Sequence, residues 1–195
     1  MPPAQRGSGF DFYVLALGWS PSFCRLQDPD GRSSQCADNR DLGFMVHGLW
    51  PQFERGFPES CRSDQPQRVP GEIVDTIFDL MPSAGLVGHQ WRKHGTCTGL
   101  TQREYFAVVR EAFDRVALPA AFGAAGQSRL SPRQVEAAFM AANPGLSAAG
   151  VAVTCKGGMI EDVRICLSHD LGFRDCPGVD ARSCNAASMS VPAAP

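Results

Sequence analysis

Two imidazoles, an ammonium and an amide fall within six residues of the segment HQWRKHGTC, as His89, Gln90, Lys93 and His94; a third histidine, His47, lies in VHGLWPQ. At about 100° per residue, a helix through 88–95 would set His89, Gln90, Lys93 and His94 within an arc of roughly 140°, with Trp91 and Arg92 outside it. A lysine is almost never buried unpaired, so such a face suits an anion. Zinc-binding helices of the H-E-x-x-H type place their ligands at i and i+4. Here the histidines stand at i and i+5, no Glu lies between them, and Lys93 would repel a cation, so no metal is expected. The bland alternative is a solvated helix face with incidental histidines. Three of the four histidines in two short motifs, beside one of only two lysines, argue against it.

Without a metal site or an obvious Ser or Cys nucleophile, these groups fit acid–base chemistry on a phosphodiester that carries its own nucleophile. RNA does, in its 2′-hydroxyl. One imidazole takes that proton, a second protonates the departing 5′-oxygen, and a cation steadies the charged phosphorane. The reference pKa of histidine, about 6.5, lets both forms coexist near neutrality. No cofactor is required, and DNA, lacking the hydroxyl, is not expected to be cut. His47 follows an apolar run and precedes Gly48, which permits close backbone approach. Trp50, three residues on, is either a stacking surface for a base or a core tryptophan.

The elements that must position these groups belong to a chain of 195 residues, expected to form one domain over 1–195 with mobile tails at 1–10 and 186–195. The net charge of −2 provides no bulk attraction to nucleic acid, and protonating all four histidines moves it only to +2. No apolar run approaches the roughly 18 residues of a membrane span, and a monomer off the membrane is expected. Eight cysteines, none in a C-x2-C pair, point to disulfides and an oxidising compartment. MPPAQRGSGF lacks the basic start and apolar stretch of a secretory leader. An exported protein would then be present as its mature form with an added Met. No N-x-[ST] acceptor occurs, which favours a bacterial periplasmic or secreted protein.

Strand patterning covers 11–20 and 42–51, the second ending in a turn at Pro51. Residues 25–42, stapled by Cys24 and Cys36, read as loop, as do 53–66. Helical spacing covers 70–81, closed by Pro82, and 86–95, ended by Gly95. Thr101 with Glu104 and Ser131 with Gln134 are capping boxes opening two more helices. GVAVTC and MIEDVRICLSHD predict a hairpin turning at Gly157-Gly158, before an irregular tail from 172. Interspersed helices and strands without a βαβ rhythm predict an α+β fold on an antiparallel sheet.

VHGLWPQ and HQWRKHGTC resemble the two active-site signatures of the ribonuclease T2 family, and YVLALGWSPSFC (13–24) is similar to its first strand. The resemblance runs from Phe12 to about Cys184 and is nearest the bacterial, ribonuclease I-like branch. It implies a disulfide-stapled α+β fold and an endoribonuclease of low base specificity acting on single-stranded RNA through a 2′,3′-cyclic phosphate, then hydrolysis to a 3′-phosphate. It makes His47 the general acid, His94 the general base, His89 a phosphate ligand, Lys93 the stabiliser of the phosphorane, and Trp50 a stacking partner of a base. It implies the disulfides Cys61–Cys97, Cys155–Cys184 and Cys166–Cys176, with Cys24–Cys36 completing the set. Gln90 departs from the pattern, which commonly has Glu. Activity is expected to survive, with a pH optimum less acidic than that of a Gln90→Glu variant. The alternative is a catalytically weakened relative that binds RNA or a protein. Base preference would lie in loops around 25–40, 52–60 and 81–88, where Phe53 and Phe57 could stack with Trp50. His169, outside both signatures, is expected to be structural or on the surface.

Overall fold

The near-continuous apolar run FYVLALGW becomes a strand buried on both faces, β1 (Phe12–Trp19), with Ser20 opening a helix directly after it, α1 (Ser20–Gln27). Loop was expected from residue 25. Pro21 in the first turn needs no N–H there, and the helix runs to Gln27 before the chain turns at Asp28. The structure, a computed structural model, describes residues 6–37, 42–124 and 128–193. β2 (Phe44–Gln52) pairs antiparallel with β1. It continues through Pro51, where a turn was expected: β2 is an edge of the sheet, so the missing N–H breaks no ladder bond.

The helical spacing at 70–81 yields only one short helix, α2 (Gly71–Asp75), followed by turns. Thr76, Ile77 and Leu80 donate to carbonyls three residues back, so the coil tightens while Ile73, Ile77 and Met81 still face the core. Next come α3 (Ala84–Lys93), α4 (Gln102–Asp114), α5 (Ala121–Ala124), β3 (Ser128–Leu130) and α6 (Pro132–Ala142). Both expected capping boxes, at Thr101 and Ser131, are formed. β4 (Val151–Lys156) and β5 (Met159–Leu167) form the hairpin, with Gly157 and Gly158 at φ 55° and 74°, the left-handed values a two-residue turn requires. α7 (Pro177–Asp180) and β6 (Met189–Val191) follow. Strand order is β2-β1-β5-β6-β3, with β4 also paired to β5; all pairings are antiparallel except β5 with β6.

The ends, 1–10 and 186–195, were expected to be mobile tails; of these, 1–5 and 194–195 lie outside the described residues. Instead Arg6 binds Glu111 and its carbonyl accepts from Tyr13, Phe10 is buried, and Met189 and Val191 are buried in β6. His169 is a structural residue here: its ring stacks on Phe10 and its Nε2 lies 2.9 Å from the Phe10 carbonyl.

The sheet has two unlike faces. Leu15, Leu17, Val46, Leu49, Val163 and Ile165 pack against Trp91 of α3, Tyr105 and Phe106 of α4 and Phe139 of α6. Opposite lies a smaller layer of Phe12, Val14, Ala152, Cys166 and Val179, against which Trp50 packs. The disulfides are Cys24–Cys36, Cys61–Cys97, Cys155–Cys184 and Cys166–Cys176.

Candidate active site

His47 owes its direction to an irregularity in β2. Ala16 pairs with Gly48 and Leu17 with Val46, so His47 is the extra residue of a β-bulge. Val46 and Leu49 both reach the main core although three residues apart, which strict alternation forbids. The bulge absorbs the odd residue and leaves His47 and Trp50 on the opposite side, in one cleft. Tyr105 fixes the strand beyond it by donating to the Leu49 carbonyl at 2.8 Å.

The second segment arrives on α3, capped by the Ser83 hydroxyl. The helix was expected to run to Gly95, with His94 on its regular face. It ends at Lys93: His94 is the C-cap, at φ −120° and ψ −46°, and Gly95–Cys97 form a tighter 3-10 turn. The cause is steric. A Cβ at Gly95 would lie 2.3 Å from the Trp91 ring and 3.0 Å from Tyr105, so only glycine lets the turn sit down on the core. The end of α3 is tied to the preceding loop three times, by Cys61–Cys97, by the Ser60 N–H donating to the Lys93 carbonyl at 2.8 Å, and by Lys93 Nζ to Glu59 at 3.4 Å.

These two constructions meet. A cleft of about 270 Å³ is lined by His47, Trp50, His89, Gln90, Lys93 and His94 together, so all six residues singled out in the sequence converge. The Trp50 ring lies between the two inner histidines, 5.4 Å from each, edge-on to His47 and inclined 30° to His94. Gln90 is buried, and its Oε1 accepts the Trp50 indole N–H at 2.8 Å. Trp50 therefore belongs to the cleft as well as to a packed layer. Phe57 and Gln52 complete one end, while Phe53 stands outside, 39% exposed. A second cavity of about 290 Å³ opens on the other side of His47, walled by Phe23, Leu26, Gln35, Ser83 and Leu86.

The two inner histidines occupy opposed electrostatic settings. His94 is buried, and its Nδ1 has no hydrogen-bond partner among the described residues. Burial, then the charges of Lys93, His89 and His47, push its pKa down to about 3. His47 also suffers from burial, but the hydrogen bond and charge of Asp162 outweigh it and raise its pKa. Its Nδ1 stands 3.1 and 3.3 Å from the two Asp162 oxygens, which leaves Nε2 for the cleft.

A sequence profile of the ribonuclease T2 family matches residues 10–176. The chain belongs to the ribonuclease T2 family. It is 44% identical over 96 residues to a ribonuclease of Aeromonas hydrophila, covering 49% of this chain and 41% of that one. It is 36% identical over 121 residues to a probable ribonuclease of Haemophilus influenzae, covering 56% and 44%. The matches thus span less than half the length of these two relatives. An RNase-related protein from Calystegia sepium shares the fold, with a TM-score of 0.75 at 20% identity over 95% of this chain and 98% of that one.

Beyond the two ribonuclease T2 signatures, sequence reasoning passed over Asp162 and Arg164. Both sit on β5 with Cys166, on the face opposite Val163 and Ile165. In sequence they look like the solvent side of a hairpin. The available signal was across the sheet: Gly18 and Ala16 of β1, their register partners, are too small to cover them.

Proposed function

We propose that this chain is an endoribonuclease cutting single-stranded RNA by metal-independent acid–base catalysis with low base specificity. The observation that carries this reading is the convergence of His47, Lys93, His89 and His94 on one cleft, the two inner imidazoles being held in opposite protonation tendencies. His94, neutral, takes the 2′-hydroxyl proton as the 2′-oxygen attacks phosphorus. His47, charged, gives a proton to the 5′-oxygen as its bond to phosphorus breaks. Lys93 and His89 face the non-bridging oxygens and offset the charge that builds on them. Trp50 and Phe57 offer ring faces to a base, and stacking tolerates every base. Gln90 acts through Trp50, whose indole N–H it holds.

Four disulfides support an exported, periplasmic or secreted protein, and no helix among the described residues is long and apolar enough to cross a membrane. A monomer acting on RNA alone is the working form. The second reading, a weakened binding relative, rests on Gln90 and is separated by the same experiment. Purified protein is expected to degrade single-stranded RNA equally with and without EDTA and to leave DNA of the same sequence intact. RNA that is bound but not cut favours the binding relative; loss of cleavage in EDTA overturns the metal-independent mechanism.

A further inference from the structure

Asp162, hydrogen-bonded to His47, is left unused by the mechanism above. Its side chain is 3% exposed, and it reaches His47 across the intervening strand β1. Gly18 of β1 lies at the crossing, where even a Cβ would make only ordinary contact, 3.4 Å from Asp162 Oδ1 and 3.7 Å from the His47 Cβ. The carboxylate is itself held from behind. Arg164 Nη2 lies 3.5 Å from Oδ2, and the Asp162 backbone N–H donates to Thr154 Oγ1 at 3.1 Å. Nothing comparable serves His94 among the described residues. Its neighbours are Lys93 and His89 on the same helix, the neutral amide of Gln90, and the Trp50 ring; Glu59 faces Lys93 instead.

We propose that Asp162 is a positioning residue that dedicates His47 to the acid's part, and that the product leaving the enzyme is therefore the 2′,3′-cyclic phosphate rather than the 3′-phosphate. The proposal rests on the ribonuclease reading. In the first step the 2′-oxygen bonds to phosphorus and the P–O5′ bond breaks, with one proton passing to His94 and one leaving His47. In the second, a water oxygen bonds to phosphorus and the P–O2′ bond breaks. That step needs the reverse: His47 neutral to take a proton from water, and His94 charged to give one to O2′. Exchange with solvent resets the pair between the two steps. The resting state then favours a charged His47 beside Asp162 and a neutral His94 among cations. Asp162 and Glu161 favour the charge on His47 and outweigh Arg164 and burial, while Lys93 and His89 disfavour a charge on His94; Arg182 also lines the cleft. The first step finds the protonation state it needs, and the second does not.

The dinucleotide UpA tests this, with products separated by chromatography. Wild-type protein is expected to convert it to cyclic phosphate that persists after UpA is consumed, with isolated cyclic phosphate hydrolysed at least about 100-fold more slowly. Asp162→Asn keeps the shape and removes the charge. Its rate on UpA should fall about 10- to 100-fold, while the loss on uridine 3′-(4-nitrophenyl phosphate), whose phenolate departs without an acid, stays within about threefold. Equal losses on both substrates would mark Asp162 as merely structural and overturn the proposal. If the variant does not fold, nitrogen-15 NMR of wild-type His47 decides: the neutral ring must carry its proton on Nδ1, and an Nε2–H tautomer overturns it. A wild type that cleaves UpA and runs directly to 3′-phosphate overturns only this proposal. One that leaves UpA intact overturns the ribonuclease reading beneath it.

Discussion

Replacing His94 by alanine is expected to lower kcat/KM on RNA by on the order of 10²- to 10⁴-fold, with a similar loss for His47→Ala, the range that positioned acid–base groups contribute. The two losses differ in their pH signatures. As the proposed base, His94 would work when neutral, and its depressed pKa would leave the free enzyme competent far below pH 6.5. As the proposed acid, His47 would work when charged, and its raised pKa would move the alkaline fall of activity above pH 6.5. Wild-type kcat/KM should therefore hold on the acid side and drop on the alkaline side as His47 loses its proton. His47→Ala should abolish that alkaline drop, and His94→Ala should not. Near-full activity in either variant would sink the assignment of roles.

Gly48→Ala is expected to cost about 10²-fold in activity without touching a titratable group. A Cβ at this position would stand 2.2 Å from Gln90 Oε1 and 2.3 Å from Trp50 Nε1, in the middle of the bond that ties them. The bond must break, and Trp50 must move from between His47 and His94. Misplacing reacting groups by about 1 Å is enough for a loss of this size. Overpacking should also lower stability by about 1–3 kcal/mol. Thermal unfolding and single-turnover cleavage, measured together, check this. A variant with wild-type rate would show that the Trp50–Gln90 contact is not what sets the cleft.

The same contact corrects the expectation for Gln90→Glu. A carboxylate there still accepts the indole N–H but adds a buried negative charge beside His94, and so raises the pKa of the base. A higher base pKa moves the acid limb upward. The wild type, with glutamine, should thus have the more acidic optimum, the reverse of what was read from the sequence. Paired pH profiles of the two proteins check the direction.

Why the six cleft residues were legible and Asp162 was not has a physical explanation. His89, Gln90, Lys93 and His94 are neighbours in the chain, and local periodicity alone brings them together. His47 and Trp50 stood out by composition, although not their shared direction, which depends on a bulge defined by the partner strand. Asp162 is 115 residues from His47, and the two meet only because β1 sets their strands on either side of it. The capping boxes were readable because both partners lie within four residues. The end of α3 was misplaced by two residues because Gly95, read as a helix terminator, is required for contact with Trp91 and Tyr105. In β2, Pro51 suggests a turn only until the strand is known to be an edge.

One tie at the end of α3 bears on when the proposed ribonuclease could act. Cys97 is three residues after His94, and its bond to Cys61 clamps the loop that also holds Lys93. A newly made chain with free thiols lacks that clamp, which ties the chain beside Lys93 and His94 to the preceding loop. For the proposed ribonuclease, oxidation would then be an arming step, as proteolysis is for a zymogen. In a reducing compartment the chain would carry every catalytic side chain and still be slow to use them.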